Sequence, residues 1–79
     1  MKIEILGSGC PKCKKLYEHT ITALKNLNKD AEVTKVDDIE KIISYGVLST
    51  PALVIDGGVK TTGSLPSVAE IEKYIKELS

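Results

Sequence analysis

The feature that most constrains the fold is the position of two cysteines where a short apolar run gives way to a helical pattern. The apolar run covers residues 2–6, a glycine-containing segment follows it, and Cys10 and Cys13 come next with Pro11 between them. Proline is favoured in the first turn of a helix, where its missing N–H loses no hydrogen bond. The sequence therefore predicts a strand over 2–6, a tight loop, and a helix that begins at the cysteine pair.

The rest of the chain alternates between strand-like and helical periodicities. The elements predicted after the first helix are a strand over 31–36, a short helix capped by Asp37 and Glu40, a buried strand over 52–55, a tight turn at 56–58, a short strand over 59–61, and a last helix capped by Ser67 and Glu70. Ser/Asp followed three residues later by Glu is a helix-start signal. The order β-α-β-α-β-β-α predicts an α/β fold with a four-stranded mixed sheet flanked by three helices, in a single domain over residues 1–79.

Composition narrows the function classes. Eleven basic and eleven acidic residues give no net charge, which argues against nucleic-acid or membrane-surface binding through bulk electrostatics. No apolar stretch approaches the roughly 18–20 residues of a membrane span, and the first residues lack the pattern of a signal peptide. We therefore expect a cytoplasmic protein that acts as a monomer, with neither nucleic acid nor membrane as a partner.

The cysteine pair carries the chemistry. In a reducing compartment, C-x-x-C more often signals redox catalysis or metal binding than a permanent disulfide. If Cys10 lies at the helix N-terminus, the unpaired N–H groups and the helix dipole lower the pKa of its thiol, and the thiolate is the nucleophile. Cys13 lies one turn further in and is better shielded. The pattern predicts that Cys10 attacks a substrate disulfide and that Cys13 then attacks Cys10 to release the reduced substrate.

A second motif, Ser49-Thr50-Pro51, stands directly before the buried strand. With both motifs in this element order, the whole chain resembles the thioredoxin/glutaredoxin superfamily, and most of all the small prokaryotic redox-active-disulfide (glutaredoxin-like thioredoxin) proteins. The resemblance implies a thioredoxin-like fold and a reductase of protein disulfides. It also implies that a reversible Cys10–Cys13 disulfide is the only redox group and that a thioredoxin-reductase-like or other dithiol reductant restores it.

The same resemblance implies roles for residues outside the cysteine pair. Pro51 is expected to be a cis-proline that faces the cysteines, Thr50 to pair through its backbone with an extended substrate, and Gly63 to lie on the neighbouring rim. Two further roles follow from the residues themselves: Pro11 is expected to stiffen the loop between the cysteines, and Lys12 to steer acidic partners, the alternative for Lys12 being a place on a solvated helix face. The predicted substrate-binding residues are thus Pro11, Lys12, Thr50, Pro51 and Gly63.

Glu4 lies six residues before Cys10, which is the spacing of the buried acid in thioredoxins. That resemblance implies a carboxylate that takes a proton from Cys13, whereas the alternative is an acid that faces solvent on an exposed strand face. Lys12 stands where glutathione-dependent glutaredoxins usually carry tyrosine, and their charged clamp for glutathione is not evident here. We therefore expect thioredoxin-like action on protein disulfides.

Metal handling is the competing hypothesis. The first forty residues also resemble a heavy-metal-associated domain, in which two thiolates hold a soft ion such as Cu(I). Those domains normally place methionine before the first cysteine, whereas this chain has Gly7-Ser8-Gly9 there. A further alternative is a zinc or iron–sulfur site shared between two subunits. We expect no metal at the pair, but soft-metal binding or delivery through it stays open at this point.

Overall fold

The computed structural model describes residues 1–7 and 11–77. The elements are β1 (Lys2–Leu6), α1 (Pro11–Asn26), β2 (Glu32–Val36), α2 (Ile39–Ser44), β3 (Ala52–Ile55), β4 (Gly58–Thr62) and α3 (Val68–Glu77). Their order is the predicted one. The strand bounds differ from the prediction by one residue at the start of β2 and at both ends of β4.

The strands form one four-stranded mixed sheet in the order β2-β1-β3-β4. β1 and β2 are parallel, and β3 runs antiparallel to both β1 and β4. In this register Leu6 pairs with Val36 and Ala52, and Ala52 pairs with Thr62. The ends of β1, β2 and β4 and the start of β3 therefore lie at one edge of the sheet, called the site edge below.

Apolar side chains cover both faces of the central strands. Residues at alternate positions of a strand face opposite sides of the sheet. Ile3 and Ile5 accordingly pack with Leu53 against α1 and α3. Leu6 and Val54 lie in a second cluster with residues of α2 and the following loop. Because both faces of β1 and β3 are covered, these strands form nearly continuous apolar runs.

Two local signals in the sequence produced the predicted structures. Asp56 and Gly57 both have positive φ, of 49° and 82°, as the tight hairpin turn between β3 and β4 requires. At the start of α3 the Glu70 N–H donates to Ser67 Oγ at 3.2 Å, and the Ser67 N–H donates to Glu70 Oε1 at 3.3 Å. These reciprocal bonds confirm the predicted capping box.

The predicted cap of α2 was wrong by one residue. The N-cap is Asp38, whose Oδ1 accepts the Glu40 N–H at 3.1 Å and whose carbonyl accepts the Ile42 N–H at 3.0 Å. With the helix starting here, Ile42 points toward the sheet and is buried. Asp37 lies outside the helix, at the site edge, where it lines a cavity with Gly7 and Cys13. The burial of Ile42 therefore determines which face of α2 points toward the sheet.

Candidate functional site

Gly7 follows the last residue of β1 and lies against Cys13 of α1 and close to Thr50 in the loop before β3. Cys13 lies in that first turn and is only 6% exposed. A Cβ at Gly7 would overlap the Cys13 sulfur and would lie 3.5 Å from the Cys13 Cβ and 3.8 Å from the Thr50 Cβ. Glycine at this position therefore lets the buried thiol pack directly on the backbone just after β1, close to Thr50.

Gly63, the residue after β4, holds the loop before β3 through a backbone hydrogen bond. The Thr50–Pro51 peptide bond is cis, Pro51 is buried and Thr50 is exposed. The Gly63 N–H donates to the Pro51 carbonyl at 2.9 Å. Gly63 has φ of +67°, and a Cβ there would lie 2.9 Å from the Ser49 Cβ, so both the backbone angle and the contact favour glycine.

The structure thus brings several of the predicted site residues to the site edge. Cys13, Thr50, Pro51 and Gly63 gather there through the contacts described above. Pro11 and Lys12 are exposed in the first turn of α1. Cys10 and its predicted position at the helix N-cap lie outside the described residues.

Glu4 lies in the middle of β1 on the sheet face that α2 covers. It is 3% exposed, so the alternative of a solvent-facing carboxylate is wrong. Its Oε1 accepts a hydrogen bond from the Tyr45 hydroxyl at 2.5 Å, and the Lys41 Nζ lies 3.6 Å from Oε2. Within the part of the chain that the structure describes, Oε2 has no hydrogen-bond partner. The carboxylate is therefore held by one phenol and one partly exposed ammonium group.

The contact with Glu4 changes the titration of Tyr45. The hydrogen bond to the Glu4 carboxylate, then burial, then the negative charge of Glu4 raise the pKa of the Tyr45 phenol above its ordinary value. Each of these causes favours the neutral phenol, which alone can donate the hydrogen bond. The proton on Tyr45 is consequently bound more tightly in the folded than in the unfolded chain.

This pKa difference predicts a pH dependence of stability. The stabilisation is fully present below the ordinary tyrosine pKa of about 10, and it is lost as the pH rises through the higher folded-state pKa. We expect Tyr45→Phe to lose stability less steeply than the wild type above about pH 10. Urea unfolding midpoints across this range measure the slope. Tyr74→Phe, which leaves the Glu4 contact intact, should keep the wild-type slope, and an equal change in both variants would contradict the assignment.

A small cavity of about 140 Å³ opens beside the buried thiol. Its lining comprises Ile5, Gly7, Cys13, Lys14, Lys35 and Asp37. The Lys35 ammonium also lies 4.4 Å from the centroid of the Tyr17 ring, close enough for a cation–π contact. Two lysines against one aspartate leave this side of Cys13 with a positive balance.

Two further properties concern metals and membranes. Across residues 1–7 and 11–77, no three His, Cys, Asp or Glu side chains form a group that could hold a metal ion. Over the same residues, no helix combines the length and the apolar character needed to cross a membrane.

The sheet order, the helices on both of its faces and the cysteine-bearing first turn beside a cis-proline loop define a thioredoxin-like fold. The family model described as "Thioredoxin domain" matches residues 1–76. The chain is 40% identical over 74 residues to a thioredoxin of Methanocaldococcus jannaschii, covering 94% of this chain and 85% of the relative. It is 37% identical over 75 residues to a thioredoxin of Methanothermobacter thermautotrophicus, covering 95% and 97%. This chain belongs to the thioredoxin family, and its relatives support a general role as a thiol–disulfide oxidoreductase.

Proposed function

We propose that this protein reduces disulfides in other proteins through Cys10 and Cys13. The observation that carries the proposal is the position of the Cys13 sulfur, which is buried at the site edge on Gly7 and next to Thr50. A disulfide in a folded protein cannot reach a thiol that is this well covered. The first attack is therefore assigned to Cys10 and the second, intramolecular attack to Cys13.

The proposed reaction moves two electrons in two exchanges. The Cys10 thiolate attacks one sulfur of the substrate disulfide; a Cys10–substrate disulfide forms, and the other substrate sulfur leaves as a thiolate and takes up a proton. The Cys13 thiolate then attacks the Cys10 sulfur. A Cys10–Cys13 disulfide forms and the second substrate thiolate leaves. The substrate is now reduced, and an external dithiol must reduce the protein before the next cycle.

The surroundings of Cys13 support the assignment of substrate contacts. Lys12 and Thr50 are exposed near the buried thiol, so both are accessible to a bound polypeptide. Gly63 already donates its N–H to the Pro51 carbonyl, so we assign it the role of holding the Thr50–Pro51 loop. Pro11 is assigned to stiffening the turn that carries the two cysteines.

Glu4 is proposed as the acceptor of the Cys13 proton. Its burial on β1, which ends one residue before Gly7, keeps this carboxylate away from bulk water near the site edge and supports this role. Glu4 Oε2 is the oxygen that accepts no hydrogen bond from a described residue, so it retains a lone pair for a proton. The effect of replacing Glu4 should be confined to the release step, in which Cys13 attacks.

The remaining parts of the proposal concern the cell. We propose a single-domain monomer in the cytoplasm whose only redox group is the Cys10–Cys13 pair. Its partners are disulfide-containing proteins and a thioredoxin-reductase-like or other dithiol reductant. Soft-metal binding at the cysteine pair is the alternative.

Reduction of insulin disulfides, with a dithiol as the electron source, tests this function. The wild type should accelerate the reaction, and Cys10→Ser should return it to the rate of the dithiol alone, because the remaining thiol, Cys13, is too well covered to start the exchange. Undiminished activity in Cys10→Ser would contradict the mechanism. A wild-type protein that is inactive yet binds one equivalent of Cu(I) or Zn²⁺ would favour the metal alternative.

A further inference from the structure

The surface next to Thr50 is unusually apolar for an exposed position. Large apolar side chains are strongly exposed on α2 and in the loop after it: Ile39 at 67%, Ile43 at 59% and Leu48 at 95%. Single exposed apolar residues are ordinary, whereas a contiguous patch of them marks a binding surface. Of the five large apolar side chains that are exposed in the described chain, these three belong to one patch.

The patch forms a groove of about 360 Å³, called the α2 groove here. Its lining is Ile39, Ile42, Ile43, Val47, Leu48 and Thr50. Ile42 and Val47 are buried and belong to the core cluster on this face of the sheet. The groove therefore has a fixed apolar floor, and the fold itself gives no reason for the exposed isoleucines and leucine above it.

The α2 groove is continuous with the candidate active site. Thr50 lines the groove and also lies beside Gly7, on which the Cys13 sulfur packs. On its other side, Cys13 lines the small cavity together with Lys14. A polypeptide whose disulfide reacts at this edge therefore has the apolar groove on the Thr50 side of Cys13 and the cavity lined by Lys14 on the other side.

Charge is distributed unequally between these two sides. Residues 11–15 carry three lysines and no acidic residue, and all three lysines are exposed. In the cavity beside Cys13, Lys14 and Lys35 outnumber Asp37. The α2 side carries Asp38 and Glu40, and its Lys41 is paired with Glu4. An acidic side chain on a bound polypeptide is thus attracted toward α1 and repelled from the start of α2.

We propose that the α2 groove and the α1 lysines together select the disulfide substrates of this protein. The occupant is an extended segment that carries an apolar side chain on one side of its reacting cysteine and an acidic side chain on the other. The apolar side chain enters the α2 groove, and the acidic one faces the α1 lysines. This inference rests on the proposed function and adds to it a class of substrate and an orientation.

Synthetic peptides with an internal disulfide test the selection. Each peptide is made in two versions, with the flanking residues before and after the reacting cysteine exchanged. The reference peptide has leucine on one side of the reacting cysteine and glutamate on the other. Replacing leucine by serine should lower kcat/KM about tenfold, the factor expected when about half of a leucine side chain is buried on binding. Replacing glutamate by lysine should lower it about threefold, an effect that should fade at high salt.

Variants of the protein assign these effects to the two surfaces. The combined change Ile43→Ser and Leu48→Ser should abolish the discrimination between leucine and serine peptides, with rates normalised to those for a small aromatic disulfide. Lys14→Glu should reverse the preference between glutamate and lysine peptides. Val59→Ser is the matched control, since Val59 is also exposed but lies on β4 outside the groove, and it should keep both preferences.

The outcomes separate this inference from the proposed function. A wild type that reduces neither peptides nor the small disulfide would overturn the proposed function and the selection with it. A wild type that reduces all peptides equally well would overturn only the selection. A second copy of this chain is the alternative occupant of the α2 groove, and sedimentation at the assay concentration tests it. The groove would be assigned to a second copy if the wild type is a dimer, the combined Ile43→Ser and Leu48→Ser variant is a monomer, and all peptides are reduced at equal rates.

Discussion

Gly7→Ala is expected to destabilise the protein and to slow disulfide reduction at the same time. The added methyl group would overlap the Cys13 sulfur, so either the Cys13 side chain must leave its position or α1 must move away from the end of β1. Forcing an additional group into a packed interior typically costs about 1–3 kcal/mol. The Gly7 backbone does not have a left-handed φ, so the collision with Cys13 is the only source of this loss.

A matched glycine elsewhere in the sheet separates this collision from a general effect of the substitution. A Cβ at Gly58 would meet its nearest neighbour, the Ile55 carbonyl oxygen, at 3.5 Å, which is an ordinary contact. Gly58→Ala should therefore be neutral or stabilising by up to about 1 kcal/mol, because alanine restricts the unfolded chain. Urea unfolding and insulin reduction measure both variants. A Gly7→Ala protein with wild-type stability and activity would show that the thiol does not depend on this contact.

The architecture could be predicted because local patterns and long-range packing agree. The strand β3 is a short apolar run between turn signals, and the structure buries it on both faces. The turn at Asp56 and Gly57 and the cap of α3 follow from side chains within three residues of each other. Signals of this range depend little on distant parts of the chain, which is why the element order was predictable even though the cap of α2 was misplaced by one residue.

The surroundings of the site were less predictable because they depend on residues far apart in sequence. Tyr45 and Glu4 are 41 residues apart, and no local pattern marks tyrosine as the donor to a buried acid. The sequence predicts Gly7 only as part of a loop before the cysteines. The sequence signal for its role is a glycine directly after a buried strand and six residues before a cysteine that is predicted to be shielded.

In the short helix α2, the apolar periodicity correctly indicates a helix but wrongly indicates which side chains are buried. Ile39, Ile42 and Ile43 have the spacing of one apolar helix face, which normally indicates burial. Only Ile42 is buried, since a helix of six residues presents little more than one turn to the sheet. The remaining isoleucines are left on the surface beside Thr50, where they form part of the α2 groove.

Cys13→Ser is expected to abolish turnover and to trap a covalent complex between the protein and its substrate. Cys10 can still attack, but the second attack on the Cys10–substrate disulfide is gone. Groups held in reactive geometry reach effective concentrations of about 10⁵–10⁸ M, far above any dithiol in solution. Serine is close to cysteine in size and should fit beside Gly7, so the site edge should keep its packing. Mass spectrometry of the intact protein after brief mixing with insulin should show nearly complete adduct, removed by added dithiol.

Comparison with other variants identifies which sulfur forms the bond and which group assists its release. Cys10→Ser should form no adduct, and an adduct on Cys13 would reverse the assigned order of attack. Glu4→Gln retains both thiols but removes the proposed proton acceptor, so its adduct should form at the wild-type rate and decay more slowly. An adduct that decays at the wild-type rate in Glu4→Gln would remove Glu4 from the mechanism. The burial of Glu4 and its hydrogen bond with Tyr45 would then serve only to connect β1 with α2.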